Sequence, residues 1–371
     1  MLINVTNYMS KFFSLIKDIF YFKKDFKNTN FITGLRAYAA LGVVLIHCGG
    51  GGFRDFGIIG NNFADLGRAG VYVFFCISGF SVASSYLRSK SFKQYFVKRL
   101  WRIFPLYYFW LFFASIMAKF YFLDIVTDLS ASNLVKHLLF INFFGGNKDI
   151  IGVEWTIPIE FFWYCLIPVI IEISKSIKII ILLILISYFM STLPWTYYSL
   201  LPLPTNEAAE VVHFSPIPYA ICFILGCFAF RIKSKLIQSN IKSNLAIMIV
   251  TLLIGLYIYT PLFILKIFEN EIIFFSILSF MLLLFSSDKN FFTRFFFNNR
   301  FIQFCGVVSY GVYLAHFPVI SFLQSFNFII FDIPLARFII TIAITLIISA
   351  VTYKLIELPL VTYGKRLANK L

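Results

Sequence analysis

Charged side chains are scarce in this chain: Asp, Glu, Lys and Arg make up 13% of its 371 residues, whereas 60% are hydrophobic and 20% aromatic. A soluble domain of this size needs a larger polar surface, so the composition excludes the usual soluble classes. Apolar runs of about 20 residues recur instead, each long enough to cross the hydrocarbon core as a helix. These runs predict an all-α, multi-pass transmembrane helical bundle.

Acidic residues are the rarer charged type, 17 against 32 Lys and Arg, which gives a net charge of +15. The basic residues lie between the apolar runs, so membrane topology explains them and no nucleic-acid partner is expected. The six cysteines lack any paired spacing, and nearly all lie inside apolar runs. Neither a disulfide framework nor a metal site is therefore indicated.

The first 30 residues lack the uninterrupted apolar core and the cleavage site of a signal peptide. Apolar residues recur there at three- and four-residue spacing, which predicts a cytoplasmic amphipathic helix on the membrane surface. We expect residues 31–360 to form the membrane domain and residues 361–371 a basic cytoplasmic tail. No appended soluble domain and no internal repeat are evident.

About ten spans are predicted. They lie at 31–49, 70–87, 104–122, 155–172, 178–193, 214–230, 244–260, 264–286, 301–323 and 336–356. With the N-terminus inside, the inner segments hold 24 of the 32 basic residues, which predicts cytoplasmic termini and a location in the plasma or inner membrane. The run at 134–144 is too short to span and predicts a helix in a long outer loop.

Arg36 and His47 both lie in the first predicted span. At about 100° and 1.5 Å per residue they share one helix face, about 16 Å apart along the axis. In a membrane span that face must meet protein or water. The pair indicates a functional site, although a structural arginine and a hydrogen-bonded core histidine would give the same pattern.

Two further stretches can be explained either by function or by packing and anchoring. Ser78-Gly79 in the second span permits a close helix approach. Arg99 and Arg102 project from one side of a predicted helix start, with Pro105 at an early helical position. Two guanidiniums at a cytoplasmic mouth suit phosphate binding, although ordinary positive-inside anchoring also explains them.

Glu160 and His316 lie in the outer halves of the fourth and ninth spans, at depths that match that of His47. A carboxylate there needs a cationic partner, so a convergence of the three is predicted. Two membrane histidines can alternatively ligate haem, which nothing else in the sequence supports. Cys48 is expected to act as a small hydrophobe, and no specific role is expected for His137 or His213.

Together these motifs resemble the acyltransferase-3 family of membrane acyltransferases, in the family's order from residue 31 to about 360. The matching segments are Arg36 with His47, Ser78-Gly79-Phe80, Arg99 with Arg102 and Pro105, Trp155 to Glu160, Ser309-Tyr310 with Tyr313 and His316, and Glu357-Leu-Pro359. Pro158 departs from the pattern, since members more often carry Ser there. The resemblance implies about ten spans, a cytoplasmic acyl-CoA donor and O-acetylation of extracytoplasmic sugars.

The resulting hypothesis is a membrane O-acyltransferase that uses acyl-CoA, expected to be acetyl-CoA, on a surface polysaccharide or lipid-linked glycan. The catalytic candidates are His47 as general base, Arg36 and Glu160. The coenzyme candidates are Arg99, Arg102 and Arg36, and the substrate-binding candidates are Ser309, Tyr310, Tyr313, His316 and Trp155. The expected partners are membrane lipids and the glycan acceptor. The alternative is a transporter of a lipid-linked sugar or solute, which should show paired half-repeats and broken helices.

Overall fold

The computed structural model describes residues 30–120, 128–142, 149–233, 240–261, 264, 270–288 and 291–371. Every regular element in those ranges is helical, which confirms the all-α prediction. The predicted surface helix at 1–30 falls, apart from its last residue, outside the described residues. The helices are α1 (Asn30–His47), α2 (Gly57–Asp65), α3 (Ala69–Leu87), α4 (Phe92–Lys119), α5 (Ala131–Leu138), α6 (Thr156–Ile173), α7 (Ile177–Tyr197), α8 (Thr205–Phe214), α9 (Ala220–Lys233), α10 (Asn240–Tyr259), α11 (Glu271–Phe285), α12 (Phe291–Phe297), α13 (Arg300–Val307), α14 (Ser309–Gln324), α15 (Pro334–Thr352) and α16 (Leu358–Ala368).

Seven helical segments in the described ranges are long and apolar enough to cross a membrane, or nine if each of two bent pairs forms one span. The segments cover nine of the ten predicted spans, and the shorter apolar helix α11 lies in the remaining one. The chain is therefore a multi-pass membrane protein. The count of ten spans and the cytoplasmic position of both termini stay predictions.

The ninth predicted span is two helices rather than one. α13 and α14 meet at an angle of 73°. Val308 between them has φ −90° and ψ 5°, outside helical geometry. Both halves contact α1, and α14 in addition packs against α15. The other bent pair, Thr205–Phe214 with Ile217–Lys233, turns by 48°. The sequence had indicated no broken helices.

The third span begins earlier than predicted. α4 starts at Phe92 because the Ser91 hydroxyl oxygen accepts the Gln94 N–H at 3.1 Å and caps the helix. Pro105 therefore lies inside α4, and its predicted place near a helix start is wrong. Arg99 and Arg102 consequently project from an established helix.

Four glycines end α1. Gly49 to Gly52 have φ values of 74°, 81°, 60° and 84°, a left-handed region that residues with a Cβ rarely adopt. The chain therefore leaves the helix directly after His47. That residue is left exposed at the helix terminus, while the preceding turn stays buried in the bundle.

The bundle has two ends, which we name after the termini of α1. At the Asn30 end, the Asp288 carboxylate accepts the N–H of Asn30 at 2.8 Å and of Phe31 at 2.9 Å. Lys233 at the end of α9 donates to the Leu283 carbonyl at 2.8 Å. α16 runs across the boundary predicted at residue 360 and packs on α4. The predicted tail is thus partly helical.

A close helix crossing joins α3 and α9. A Cβ added at Gly79 would lie 2.3 Å from the Phe223 carbonyl oxygen, and one added at Gly226 would lie 2.0 Å from the Cys76 carbonyl oxygen. Backbone atoms cannot yield as side chains do, so these positions need glycine. The packing interpretation of Ser78-Gly79 therefore holds, whatever else Ser78 does.

This crossing yields a stability prediction. Gly226→Ala should destabilise the bundle by about 1–3 kcal/mol, since overpacking a closely packed contact costs that much. The measurement is thermal unfolding of the purified protein in detergent. Gly255→Ala is the matched control, because a Cβ there meets nothing within 4 Å. A Gly226→Ala protein that melts with the Gly255→Ala protein would contradict the crossing.

Candidate active site

A cavity of about 70 Å³ lies between α1, α3, α4, α6 and α14. Six predicted site residues line it together: Arg36, Arg102, Glu160, Ser309, Tyr310 and Tyr313. Val71, Phe74 and Phe75 supply an apolar wall from α3. The structure therefore brings residues from five separate segments to one enclosure.

The acidic groups at this cavity are held by specific partners. The Glu160 carboxylate accepts a hydrogen bond from the Ser78 hydroxyl, and one at 3.2 Å from the Tyr164 hydroxyl. Arg102 forms an ion pair with Glu357, whose side chain is 1% exposed. That ion pair was not predicted. Glu357 belongs to a π-helical turn, Tyr353–Glu357, and such turns are frequent at functional sites.

Arg36 differs from Arg102 in its bonding. Its side chain lines the cavity but makes no hydrogen bond with any residue in the described part of the chain. Tyr310 and Tyr313, by contrast, donate to the Ile103 carbonyl at 3.0 Å and the Val153 carbonyl at 2.8 Å. A guanidinium with five unspent donors beside an open cavity is available to a ligand oxygen.

The second cluster is a histidine pair at the other end of α1. His47 Nδ1 lies 2.8 Å from His316 Nε2, and His316 is fully buried. His316 Nδ1 lies 2.8 Å from the Tyr313 carbonyl oxygen and 3.1 Å from the Val312 carbonyl oxygen. The Phe317 ring meets the His47 ring edge-on at 5.0 Å.

These contacts determine where the protons lie. Carbonyl oxygens only accept, so His316 Nδ1 must carry a hydrogen and donate it. In a neutral imidazole the other nitrogen, Nε2, then accepts, and His47 Nδ1 is its donor. The Nε2 atom of His47 is left with its lone pair on an exposed ring. A base oriented by a second group in this way is the arrangement that proton abstraction requires.

Glu160 does not belong to the histidine pair. It lies at the Arg36 cavity with Ser78 and Tyr164, so the predicted convergence of Glu160 with His47 and His316 is not seen. Ser78 and Tyr164 supply the hydrogen bonds that the Glu160 carboxylate needs there, so no histidine partner is required. The segment before α6 is also buried, since Ile150, Ile151 and Val153 are at most 2% exposed.

Glu154 fixes that buried segment. Its carboxylate accepts the N–H groups of Ile150, Gly152 and Val153, the last two at 2.8 and 3.1 Å. His137 Nδ1 lies 3.7 Å from it, and both side chains are fully buried. His137, expected to have no specific role, thus packs against the segment whose Val153 carbonyl accepts from Tyr313.

Two further predicted site residues, besides the histidine pair, lie outside the cavity. Trp155 packs its ring on His213 and Tyr219, with centroids 4.8 and 5.8 Å away. Arg99 donates to the Ser81 carbonyl, and its guanidinium lies 5.5 Å from the centre of the Tyr164 ring. Arg99 therefore adjoins the cavity wall from the Asn30 end without lining it.

Neither cysteine nor metal chemistry is suggested by the geometry. Cys48 is fully buried in an apolar cluster, as expected for a small hydrophobe. Among the residues that the structure describes, no group of three or more His, Cys, Asp or Glu could hold a metal ion. The two histidines bond each other directly at 2.8 Å, whereas two imidazole nitrogens on a tetrahedral zinc lie about 3.3 Å apart.

Comparison with known proteins supports the family resemblance that the motifs indicate. The chain is 25% identical over 376 residues to "Putative O-acetyltransferase SACOL0978" of Staphylococcus aureus (strain COL), covering 91% of this chain and 58% of that protein. It is 26% identical over 294 residues to "Putative acetyltransferase ORF330" of Acidianus two-tailed virus, covering 77% of this chain and 81% of that protein. It is 30% identical over 131 residues to "Nodulation protein 10" of Rhizobium leguminosarum bv. viciae, covering 29% and 34%.

The chain thus spans about a third of the nodulation protein and just over half of the staphylococcal one. No solved structure matches it. The family model described as "Acyltransferase domain", Acyl_transf_3, matches residues 29–354, which are most of the chain. The chain therefore belongs to the acyltransferase-3 family.

Proposed function

We propose that this protein moves an acyl group, expected to be acetyl, from cytoplasmic acyl-CoA to a hydroxyl of a surface polysaccharide or lipid-linked glycan at the outer side of the membrane. The acetyltransferase names of its relatives support the group that is transferred. The family assignment favours this reaction over the transporter alternative. The bent helices do not favour transport, since α14 carries His316 of the histidine pair and part of the cavity wall.

The observation that carries the proposal is the hydrogen bond from His47 Nδ1 to His316 Nε2. It leaves His47 Nε2 free to take the proton of an acceptor hydroxyl as the oxygen attacks the thioester carbonyl. The carbon–sulfur bond then breaks, and the imidazolium returns the proton to the departing thiolate, which leaves as free coenzyme A. The same nitrogen would serve if the acyl group passed first to His47.

The donor would approach from the Asn30 end, with its uncharged arm in the cavity. Arg36 has unspent donors for the amide or thioester oxygens of that arm. Ser309, Tyr310 and Tyr313 would contact the same arm, because they line the same space. Glu160 would hold Ser78 in place in the cavity wall. Trp155 and His316 would help to bind the acceptor.

His47 gives the first functional prediction. His47→Gln keeps a hydrogen-bonding side chain but cannot take a proton, so turnover should fall by about 10²–10⁴-fold. The coenzyme should still bind, because its charged end lies at the opposite end of the bundle. The measurement is acyl transfer per folded molecule, with coenzyme affinity determined on the same sample. Near-normal turnover by a folded His47→Gln protein would exclude His47 as the base.

His316 gives the second functional prediction. His316→Phe fills the buried space but removes the acceptor for His47 Nδ1–H, so the tautomer is no longer fixed. We expect kcat to fall about 10–100-fold, as is typical when a group that orients a functional histidine is lost. The donor KM should be unchanged. If His316→Phe were as inactive as His47→Gln, the two histidines would have to share the chemistry.

The Arg102–Glu357 ion pair gives the third prediction, which concerns stability. Arg102→Met leaves a buried carboxylate unpaired, which should cost about 3–5 kcal/mol of stability. The double variant Arg102→Met/Glu357→Leu should recover most of that loss, because no buried charge remains. Thermal unfolding of both variants decides the matter. A single variant that is as stable as the double one would show that the pair does not hold α4 to the π-helical turn.

A further inference from the structure

A second, basic pocket of about 440 Å³ opens at the Asn30 end of the bundle. The end of α3, the first turns of α4 and the last turns of α16 form its walls. Four cationic side chains line it, namely Arg88, Lys98, Arg99 and Lys365, and no Asp or Glu is among its described lining residues. Their formal charge of +4 is concentrated in one concave site.

Several hydrogen-bonding groups in this pocket have no partner among the described residues. The half-buried hydroxyls of Ser81, Ser84 and Ser85 face it and make no hydrogen bond with any residue in the described ranges. The Nε atom of Arg99 is buried without a hydrogen-bond partner. Arg88 lies over the Phe230 ring, 6.0 Å from its centre, rather than against a carboxylate. These groups together suit an anion with several oxygens.

The pocket and the cavity follow each other along the same helices. On α3, Val71, Phe74 and Ser78 line the cavity, and Ser81 and Ser85 continue the same stripe into the pocket. On α4, Lys98 and Arg99 line the pocket, while Arg102 and Ile103, one turn later, line the cavity. The two spaces are therefore successive compartments, about 20 Å long together at helical rise.

The cavity and the basic pocket differ sharply in charge. At the cavity, Arg102 is paired with Glu357, and Arg36 shares the space with Glu160, so the formal charges balance. Phosphate oxygens gain little in a balanced, mostly apolar enclosure and pay for desolvation there. In the pocket they would meet four positive charges, and no carboxylate lines it among the residues that the structure describes.

We propose that the basic pocket binds the phosphate groups of the acyl-CoA nucleotide, and that the cavity receives only the uncharged arm. This rests on the proposed function and moves phosphate recognition away from Arg36 and Arg102, to which the sequence had assigned it. Lys365 and Arg88 become binding residues, and Arg99 keeps that role. An anionic lipid headgroup carries the same phosphate chemistry, so the test separates the two sources.

The test measures binding to the full-length protein in phosphatidylcholine nanodiscs. The ligands are coenzyme A, dephospho-coenzyme A, which lacks the 3′-phosphate, and pantetheine, which lacks the nucleotide. In the Arg88→Ala/Lys365→Ala variant, the Kd for coenzyme A should rise about tenfold or more, and the Kd for pantetheine should not change. Arg366→Ala is the matched control, an exposed basic residue of α16 outside the pocket, and should bind like wild type.

Each other outcome overturns the proposal in a recognisable way. An unchanged Kd for coenzyme A, or equal weakening of coenzyme A and pantetheine, would place the phosphates elsewhere and leave the acyl-CoA reaction intact. Wild-type protein that binds no coenzyme A would remove the proposed donor as well. If the variant instead loses co-purifying phosphatidylglycerol but keeps its coenzyme A affinity, the pocket is a lipid-headgroup site.

Discussion

Ionisable groups inside an apolar bundle must find partners, and this constraint orders the whole arrangement of helices. Arg102 on α4 and Glu357 beside α16 neutralise each other, which holds the last helix of the chain against the third span. Glu160 on α6 is satisfied by Ser78 on α3. A bilayer offers no water to replace these bonds, so their loss costs more than their small number suggests. Arg36 stands apart, because its donors face a cavity rather than a carboxylate.

The same constraint separates the tasks of the site along α1. Balanced charge in the middle of the bundle suits an uncharged acyl-bearing arm. Concentrated positive charge at the Asn30 end suits phosphates, and a neutral, oriented histidine at the other end suits proton transfer. A single helix that runs unbroken from Asn30 to His47 keeps these functions aligned. The four glycines that follow expose the histidine where the helix ends.

Much of this could be predicted because the signals are local. Apolar runs placed the spans, and the spacing of Arg36 and His47 placed both on one face. The ordered motifs identified Arg36, Arg102, Glu160, Tyr310 and Tyr313 as candidate site residues, and the structure places all five at one cavity. The ten-span count, the cytoplasmic termini and the roles of individual site residues remain predictions.

What could not be predicted depends on contacts between distant parts of the chain. Glu357 and Arg102 are 255 positions apart, and no periodicity links them. The buried course of the segment before α6, where the Glu154 carboxylate accepts backbone N–H groups, is also not visible in the periodicity. Continuous hydropathy across Val308 concealed the bend between α13 and α14, of which α14 packs on α15 as well as on α1.

The account depends most on the proton positions in the histidine pair, which nitrogen NMR can observe directly. The chain has only four histidines, so a protein labelled with ¹⁵N in its imidazoles gives few signals, and the His47→Gln variant assigns those of His47. At pH 7.5 in lipid, we predict a protonated Nδ1 and an unprotonated Nε2 for His47, coupled to a protonated Nδ1 of His316. A His47 ring protonated at Nε2, or one whose signals do not respond to His316→Phe, would contradict the account.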